Sequence, residues 1–347
     1  MKLSLLDQEW FVKGYWPWVP LKDKSMETGK TLIGTTDWIP ATVPGGVHYD
    51  LYKAGLIEHP YYEMNSLKCE WVEHRWWMYK TTMESPTESG EKYELVFKGV
   101  DYEALVYLNG EYLGEHKGMY HPARFDITPF VLKKERLELI VVFKHPPDEM
   151  GQIGKTSETF TQKSRFNYKW DFSTRLVNIG FWDEIYIKIH QHASFGAIAL
   201  QTSVDEKKGW IDLDVGIQEN GKLDAPLTLE VLCKDAANHE VGFQTQHLYP
   251  GQYKDRLTFA IDNPDLWNPN GYGEQPLYKV ELKLKDAAGR ELDSAFYSAG
   301  IRQLAFTQNE NSPEDALPYT VLVNGKKIYI QGFNMTPIDP FLRVQTI

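Results

Sequence analysis

Hydrophobic and polar residues alternate in short runs from about residue 70 onward, a pattern typical of strands that bury one face. Residues 93–100 (YELVFKGV) and 104–110 (ALVYLNG) are clear examples. The Asn-Gly pair before Glu111 follows such a run and predicts a tight β-hairpin turn. Further strands are predicted at 124–127, 136–143 and 184–189. This spacing predicts a β-sandwich of the jelly-roll type.

A second set of strand patterns begins near residue 193 and includes residues 210–215, 227–232 and 278–284. About seven short strands over roughly 115 residues are typical of an immunoglobulin-like sandwich. Neither set contains a convincing helical stripe. After a polar segment, residues 319–330 (YTVLVNGKKIYI) predict another hairpin, which runs into Gly332.

The patterns therefore predict a mostly β chain in three parts. Residues 1–192 form the predicted jelly roll, residues 193–308 the immunoglobulin-like sandwich, and residues 309–347 the start of a further domain. Trp76 and Trp77 are adjacent in a predicted strand and so face opposite sides, which predicts that at most one of them lies in the core.

The amino-acid composition excludes some classes of protein and argues against others. The 42% hydrophobic and 14% aromatic content excludes a disordered chain and favours strands. A net charge of −11 argues against nucleic acid or an anionic membrane as a partner, because such binding needs clustered Lys and Arg. No signal peptide or membrane span is readable, so a soluble, cytoplasmic protein is expected. The two cysteines give no disulfide framework, and no metal or cofactor motif is present.

The candidate chemistry lies at the end of a long polar stretch between Phe143 and Trp170. There, Asp171 stands between Trp170 and Phe172. A carboxylate flanked by rings suits a sugar, because the acid accepts hydroxyl hydrogen bonds and the rings cover C–H faces. The residues alone leave alternatives: Asp171 could cap a turn, and the two rings could belong to a satellite core. Arg175 is expected to be a structural ion-pair partner.

Four motifs resemble the N-terminal part of glycoside hydrolase family 2, and its β-mannosidase branch most of all. They are residues 43–48 (VPGGVH), 73–79 (EHRWWMY), the hairpin region 99–128, and 265–278 (DLWNPNGYGEQPLY). Their order matches the family's jelly roll followed by an immunoglobulin-like domain. The end of the chain, residues 332–337 (GFNMTP), resembles the first strand of the family's (β/α)₈ barrel.

The resemblance implies roles for six residues. In β-mannosidase relatives a Trp-Asp-Trp-Gly-Pro loop brings an Asp to the hydroxyls of the terminal sugar, and Asp171 matches it. Trp170 and Lys163 are expected beside the pocket, and Asp339 and Arg343 are expected to approach it from the loop after the first barrel strand. This chain has Phe172, Ser173 and Thr174 where that loop has Trp, Gly and Pro. The sugar preference is therefore less firmly implied than the family.

Retaining glycoside hydrolysis needs two carboxylates about 5 Å apart. The family carries both as Glu residues in a barrel of about 250 residues, which residues 309–347 are too few to form. The expected function is thus the non-catalytic N-terminal part of an exo-glycosidase that removes terminal β-mannose from oligosaccharides. A β-glucuronidase, β-galactosidase or exo-glucosaminidase parent, a stand-alone carbohydrate-binding module, and an interaction protein that forms a homodimer are the alternatives.

Overall fold

The computed structural model describes residues 1–133, 136–148, 160–205, 207–252, 254–335, 339 and 341. The chain divides into two compact units, Met1–Ile189 with Met335–Ile347, and His190–Asn334. Both units are built mainly from antiparallel strands. The prediction of a mostly β protein with two successive sandwiches is confirmed.

The first unit contains short strands along most of its length. They are β1 (Lys2–Ser4), β2 (Trp10–Tyr15), β3 (Ile39–Ala41), β4 (Trp76–Met83), β5 (Lys92–Phe97), β6 (Val100–Asp101), β7 (Glu103–Leu108), β8 (Glu111–Lys117), β9 (Ala123–Asp126), β10 (Leu137–Phe143), β11 (Gly180–Phe181) and β12 (Ile185–His190). One sheet has the order β1-β12-β5-β9, a larger one the order β3-β2-β4-β10-β7-β8, and β11 pairs with β6.

The main core of this unit contains side chains from both larger sheets. Phe97 of β5 stacks on Phe181 at 5.4 Å between ring centroids, and Tyr79 of β4 and Phe143 of β10 meet the same ring edge-on at 5.2 and 5.0 Å. All four side chains are almost fully buried. Apolar residues at every second position of the strands supply this core, as a sandwich requires.

The outer face of the six-stranded sheet has a second apolar cluster. Trp76, Met78, Tyr107 and Val142 belong to it, and partly buried side chains from residues 19–38 pack against it. Trp76 and Trp77 are therefore both buried, at 1% and 0% exposure. The prediction that at most one of them could be core is wrong. Residues 19–38 cover the outer face of the sheet, which the alternating pattern predicts to be exposed to solvent.

The helices are short. They are α1 (Ser25–Thr28), α2 (Val47–Lys53) and α3 (Thr128–Leu132), with 3-10 segments at Val19–Lys24 and Asn65–His74. Helix α2 was not predicted, and it turns Asp50 inward, where the carboxylate accepts a hydrogen bond of 2.8 Å from the Thr42 amide. None of the described helices has the length and apolarity needed to cross a bilayer.

The second unit begins with seven strands in two sheets. They are β13 (Ala193–Asp205), β14 (Lys208–Glu219), β15 (Leu227–Lys234), β16 (Glu240–Leu248), β17 (Lys254–Asp262), β18 (Tyr278–Lys285) and β19 (Glu291–Ala299). The sheet orders are β13-β14-β17 and β16-β15-β18-β19. Alternate residues of both sheets form one core, including Leu213, Val231, Phe259 and Leu282. This arrangement matches the predicted immunoglobulin-like sandwich.

A smaller sheet of β20 (Leu304–Thr307), β21 (Thr320–Val323) and β22 (Lys326–Lys327) completes this unit. Asn324 and Gly325 form its turn with φ of 51° and 74°, the left-handed geometry that Asn-Gly turns favour. Residues 328–335 carry no strand in the described structure. The remainder of the predicted first barrel strand lies outside the described residues, apart from Asp339 and Phe341.

Candidate functional site

The Trp170-Asp171-Phe172 segment forms the tip of a small hairpin. Tyr168 and Arg175 pair as an antiparallel bridge, and the Trp170 amide donates to the Ser173 carbonyl at 2.9 Å. Two residues, Asp171 and Phe172, are left to make the turn. The hairpin thus presents one carboxylate and two rings at its end.

All three tip side chains are accessible. Trp170 is 44% and Phe172 58% exposed, and their ring centroids lie 6.5 Å apart with the planes at 65°. Asp171 is exposed and makes no side-chain hydrogen bond or ion pair with any described residue. The tip therefore has one charged acceptor and two apolar ring faces available to a ligand.

The base of the hairpin is held by polar contacts to distant parts of the first unit. The Arg175 guanidinium donates from Nε to both Glu73 oxygens, at 3.1 and 3.2 Å, and from Nη2 to Oε1. Thr174 donates to the Ser66 hydroxyl at 2.6 Å. These contacts fix the base while leaving the tip free, and they place Arg175 in the ion pair expected from the sequence.

Lys163 lies in the interior of the first unit. Its ammonium donates to the Asp101 carboxylate and, at 2.8 Å, to the Asn178 carbonyl. Its side chain is 1% exposed and that of Asp101 2%. Burial lowers the pKa of Lys163 and raises the pKa of Asp101, while their mutual attraction opposes both shifts. Lys163 thus ties the segments before and after the hairpin to strand β6.

Asp339 is held by a second group of residues. Tyr61 donates its hydroxyl hydrogen bond to the Asp339 carboxylate, and the Phe341 amide donates to the same carboxylate at 2.9 Å. Phe341 is 3% exposed, with the rings of Tyr49 and Tyr61 at 5.6 and 4.9 Å. Burial and the neighbouring carboxylate raise the pKa of Tyr61. No contact among the described residues joins Asp339 to the hairpin tip, and Arg343 lies outside the described residues.

Sequence reasoning missed the partners that hold these residues. Glu73 lies in a motif quoted for the family resemblance, but nothing local assigns it to Arg175, which is 102 positions away. Asp101 also lies in a quoted motif, but nothing local assigns it to Lys163, 62 positions away. Tyr61 stands in no motif, and an isolated Tyr in a β protein is usually structural.

Two successive β-sandwiches, the first with an exposed acid-and-ring hairpin, place the chain in the class of mostly β, two-sandwich proteins. Family comparison gives the particular assignment. Residues 22–183 match the galactose-binding domain-like model of glycosyl hydrolase 2, and residues 193–302 match the glycosyl hydrolases family 2 model. The chain belongs to glycosyl hydrolase family 2, as the sequence motifs predicted.

Curated relatives are β-mannosidases. The chain is 28% identical over 313 residues to beta-mannosidase B of Thermothelomyces thermophilus, covering 86% of this chain and 36% of that protein. It is 25% identical to the beta-mannosidase of Rattus norvegicus, covering 87% of this chain and 37% of the relative. The chain thus spans little more than a third of the length of these relatives.

Solved structures share the fold. The beta-D-mannosidase from Dictyoglomus thermophilum superposes with a TM-score of 0.83 at 26% identity, covering 99% of this chain and 41% of that one. A Bacteroides uniformis beta-glucuronidase 2 superposes with a TM-score of 0.70 at 16% identity, covering 100% of this chain and 37% of that one. The second likeness is one of fold only.

Proposed function

We propose that this chain is the N-terminal, non-catalytic part of a retaining exo-glycosidase that hydrolyses terminal β-D-mannosides, and that it supplies one wall of the sugar pocket. The observation that carries the proposal is the hairpin tip, where Asp171 makes no hydrogen bond or ion pair with any described residue and is flanked in the sequence by two exposed rings. The base of the hairpin is held by the ion pair of Arg175 with Glu73. Relatives named as β-mannosidases, which align over nearly the whole chain, support mannose as the terminal sugar.

The proposed chemistry at the tip is recognition. The Asp171 carboxylate would accept hydrogen bonds from neighbouring sugar hydroxyls, which are stronger than neutral ones because the acceptor is charged. Trp170 and Phe172 would cover C–H faces of the ring. Lys163 is buried and would act indirectly, by holding the Asn178 carbonyl, after the hairpin, to Asp101 of β6, without touching the sugar.

Asp339 and Arg343 are proposed to complete the pocket from the loop that follows the first barrel strand. The hydrogen bonds from Tyr61 and the Phe341 amide would hold Asp339 in one orientation. The two catalytic carboxylates are proposed to lie in a barrel, so these 347 residues alone are expected to hydrolyse nothing. A homodimer and a cytoplasmic location also remain predictions.

A substrate panel tests this proposal. The protein that carries this chain ahead of a barrel would be assayed on the 4-nitrophenyl β-glycosides of mannose, glucuronic acid, galactose and N-acetylglucosamine, beside the 347-residue chain alone. We expect the mannoside to give the highest kcat/KM and the chain alone to give no turnover. Turnover by the chain alone, or a preference for another sugar, would contradict the proposal.

A further inference from the structure

A second aromatic group lies on the first unit, at the end of strands β2 and β4. Trp16 and Trp18 follow β2 and are 58% and 66% exposed, although each is a large apolar side chain. The Arg75 guanidinium carbon lies 3.6 Å from the Trp16 ring centroid, and the Trp18 ring lies 5.0 Å from that of Trp76. The two exposed indoles are thus held against the ends of paired strands, since Tyr15 and Trp76 are cross-strand partners.

Two nitrogen donors in this group lack acceptors. Arg75 Nε and Trp76 Nε1 are buried and have no hydrogen-bond partner among the described residues. Arg75 donates from Nη1 to the His74 carbonyl at 3.2 Å, and it makes no ion pair within the described part of the chain. Buried donors are usually satisfied. Arg75 Nη2 makes no hydrogen bond with a described residue either, and a guanidinium donor beside flat exposed rings suits a ligand with many hydroxyl oxygens.

The group is connected to the hairpin that carries Asp171. Arg75 lies two residues after Glu73, whose carboxylate forms the ion pair with Arg175 at the hairpin base. Two residues span at most about 7 Å in any backbone conformation, so Glu73 and Arg75 lie close together. The exposed indoles therefore adjoin the support of the hairpin instead of a remote face of the sandwich.

We propose that Trp16, Trp18 and Arg75 form a second carbohydrate site, which binds the sugars that follow the terminal residue of an oligosaccharide. Trp16 and Trp18 stack on pyranose faces, and the guanidinium donates to their hydroxyls. A neutral ligand fits a chain of net charge −11 better than a nucleic acid, which could also stack on indoles. The inference rests on the proposed function, because the sugar chain is taken to begin at Asp171.

Calorimetric titration of the 347-residue chain tests this site. The probes are β-1,4-mannotetraose, which offers four sugars in a row, and methyl β-D-mannoside, which offers only one. Trp16→Ala and Arg75→Gln are each expected to weaken tetraose binding about tenfold, which corresponds to about 1.4 kcal/mol, and to leave methyl mannoside binding unchanged. Trp16→Phe, which keeps a ring, should retain most of the affinity.

Phe243→Ala is the matched control, because Phe243 is a similarly exposed ring, at 52%, in the other unit. It should bind tetraose like the wild type. Thermal unfolding should be the same for Trp16→Ala and wild type, since the side chain is largely exposed. Tetraose binding by Trp16→Ala equal to wild type, or a wild-type chain that does not bind tetraose, would overturn the inference.

The two proposals fail in different ways. If Trp16→Ala loses tetraose binding but the barrel-bearing protein shows no β-mannosidase activity, the proposed function is wrong and the second site stands. If that protein hydrolyses mannosides but tetraose binding responds only to Asp171→Asn, the second site is wrong and the proposed function stands.

Discussion

Lys163→Met should destabilise the first unit strongly. The substitution keeps a long side chain but removes the ammonium, so Asp101 remains buried with no cation and the Asn178 carbonyl loses its donor. Both members of the pair are almost completely shielded from water, at 1% and 2% side-chain exposure. Breaking a buried pair from one side costs about 3–5 kcal/mol.

For a domain of this size, 1 kcal/mol shifts the unfolding midpoint by about 2–4 °C, so the expected decrease is about 6–20 °C. Urea unfolding followed by tryptophan fluorescence gives the free energy directly. The double variant Lys163→Met with Asp101→Leu should recover most of the loss, because apolar replacement of both partners leaves no isolated charge.

Lys2→Met is the matched control, since Lys2 forms an ion pair with Glu184 at 2.9 Å but both side chains are nearly half exposed. Its cost should be within about 1 kcal/mol. A Lys163→Met variant as stable as Lys2→Met would refute the reasoning, and so would a double variant less stable than the sum of its single changes.

Two further predictions concern other polar groups of the same unit. Burial raises the pKa of Asp50 to about 7, so the folded state binds an extra proton between pH 4 and 7 and loses stability as pH rises through that range. Asp50→Asn should therefore stabilise the protein by up to about 4 kcal/mol at pH 8 and hardly at pH 4. Urea unfolding at both pH values measures this, and an increase in stability that does not vary with pH would contradict the prediction. Arg175→Lys should lose the two-pronged contact to Glu73 and cost about 1–3 kcal/mol. Faster hydrogen exchange at the Trp170 amide would report the loosened hairpin, and unchanged exchange would show that the base is held without that pair.

Local rules in the sequence predicted the strands and turns well. The hairpin expected before Glu111 forms with Asn109 and Gly110 at φ of 50° and 79°, because few residues other than Asn and Gly adopt those angles without strain. The alternation of apolar residues likewise identified both sandwiches, since a strand with one buried face needs that period.

The remaining features depend on contacts that no local pattern encodes. Trp76 is buried because residues 19–38 cover the outer sheet face, and that segment has no repeating pattern. Lys163 and Asp101 are 62 positions apart in the sequence. Their buried ion pair therefore could not be predicted from neighbouring residues. The hairpin at residues 167–176 was predicted only as a functional loop, and its tip geometry follows from the Tyr168–Arg175 bridge.

The kinetics of Asp171→Ala in the barrel-bearing protein test the account most directly. Asp37→Ala, at an exposed Asp elsewhere on the first unit, serves as the control. If Asp171 holds sugar hydroxyls in the transition state, kcat/KM on 4-nitrophenyl β-mannoside should decrease about 100-fold or more while thermal stability and the control remain unchanged. A rate for Asp171→Ala equal to that of the control would show that the hairpin tip does not bind the substrate.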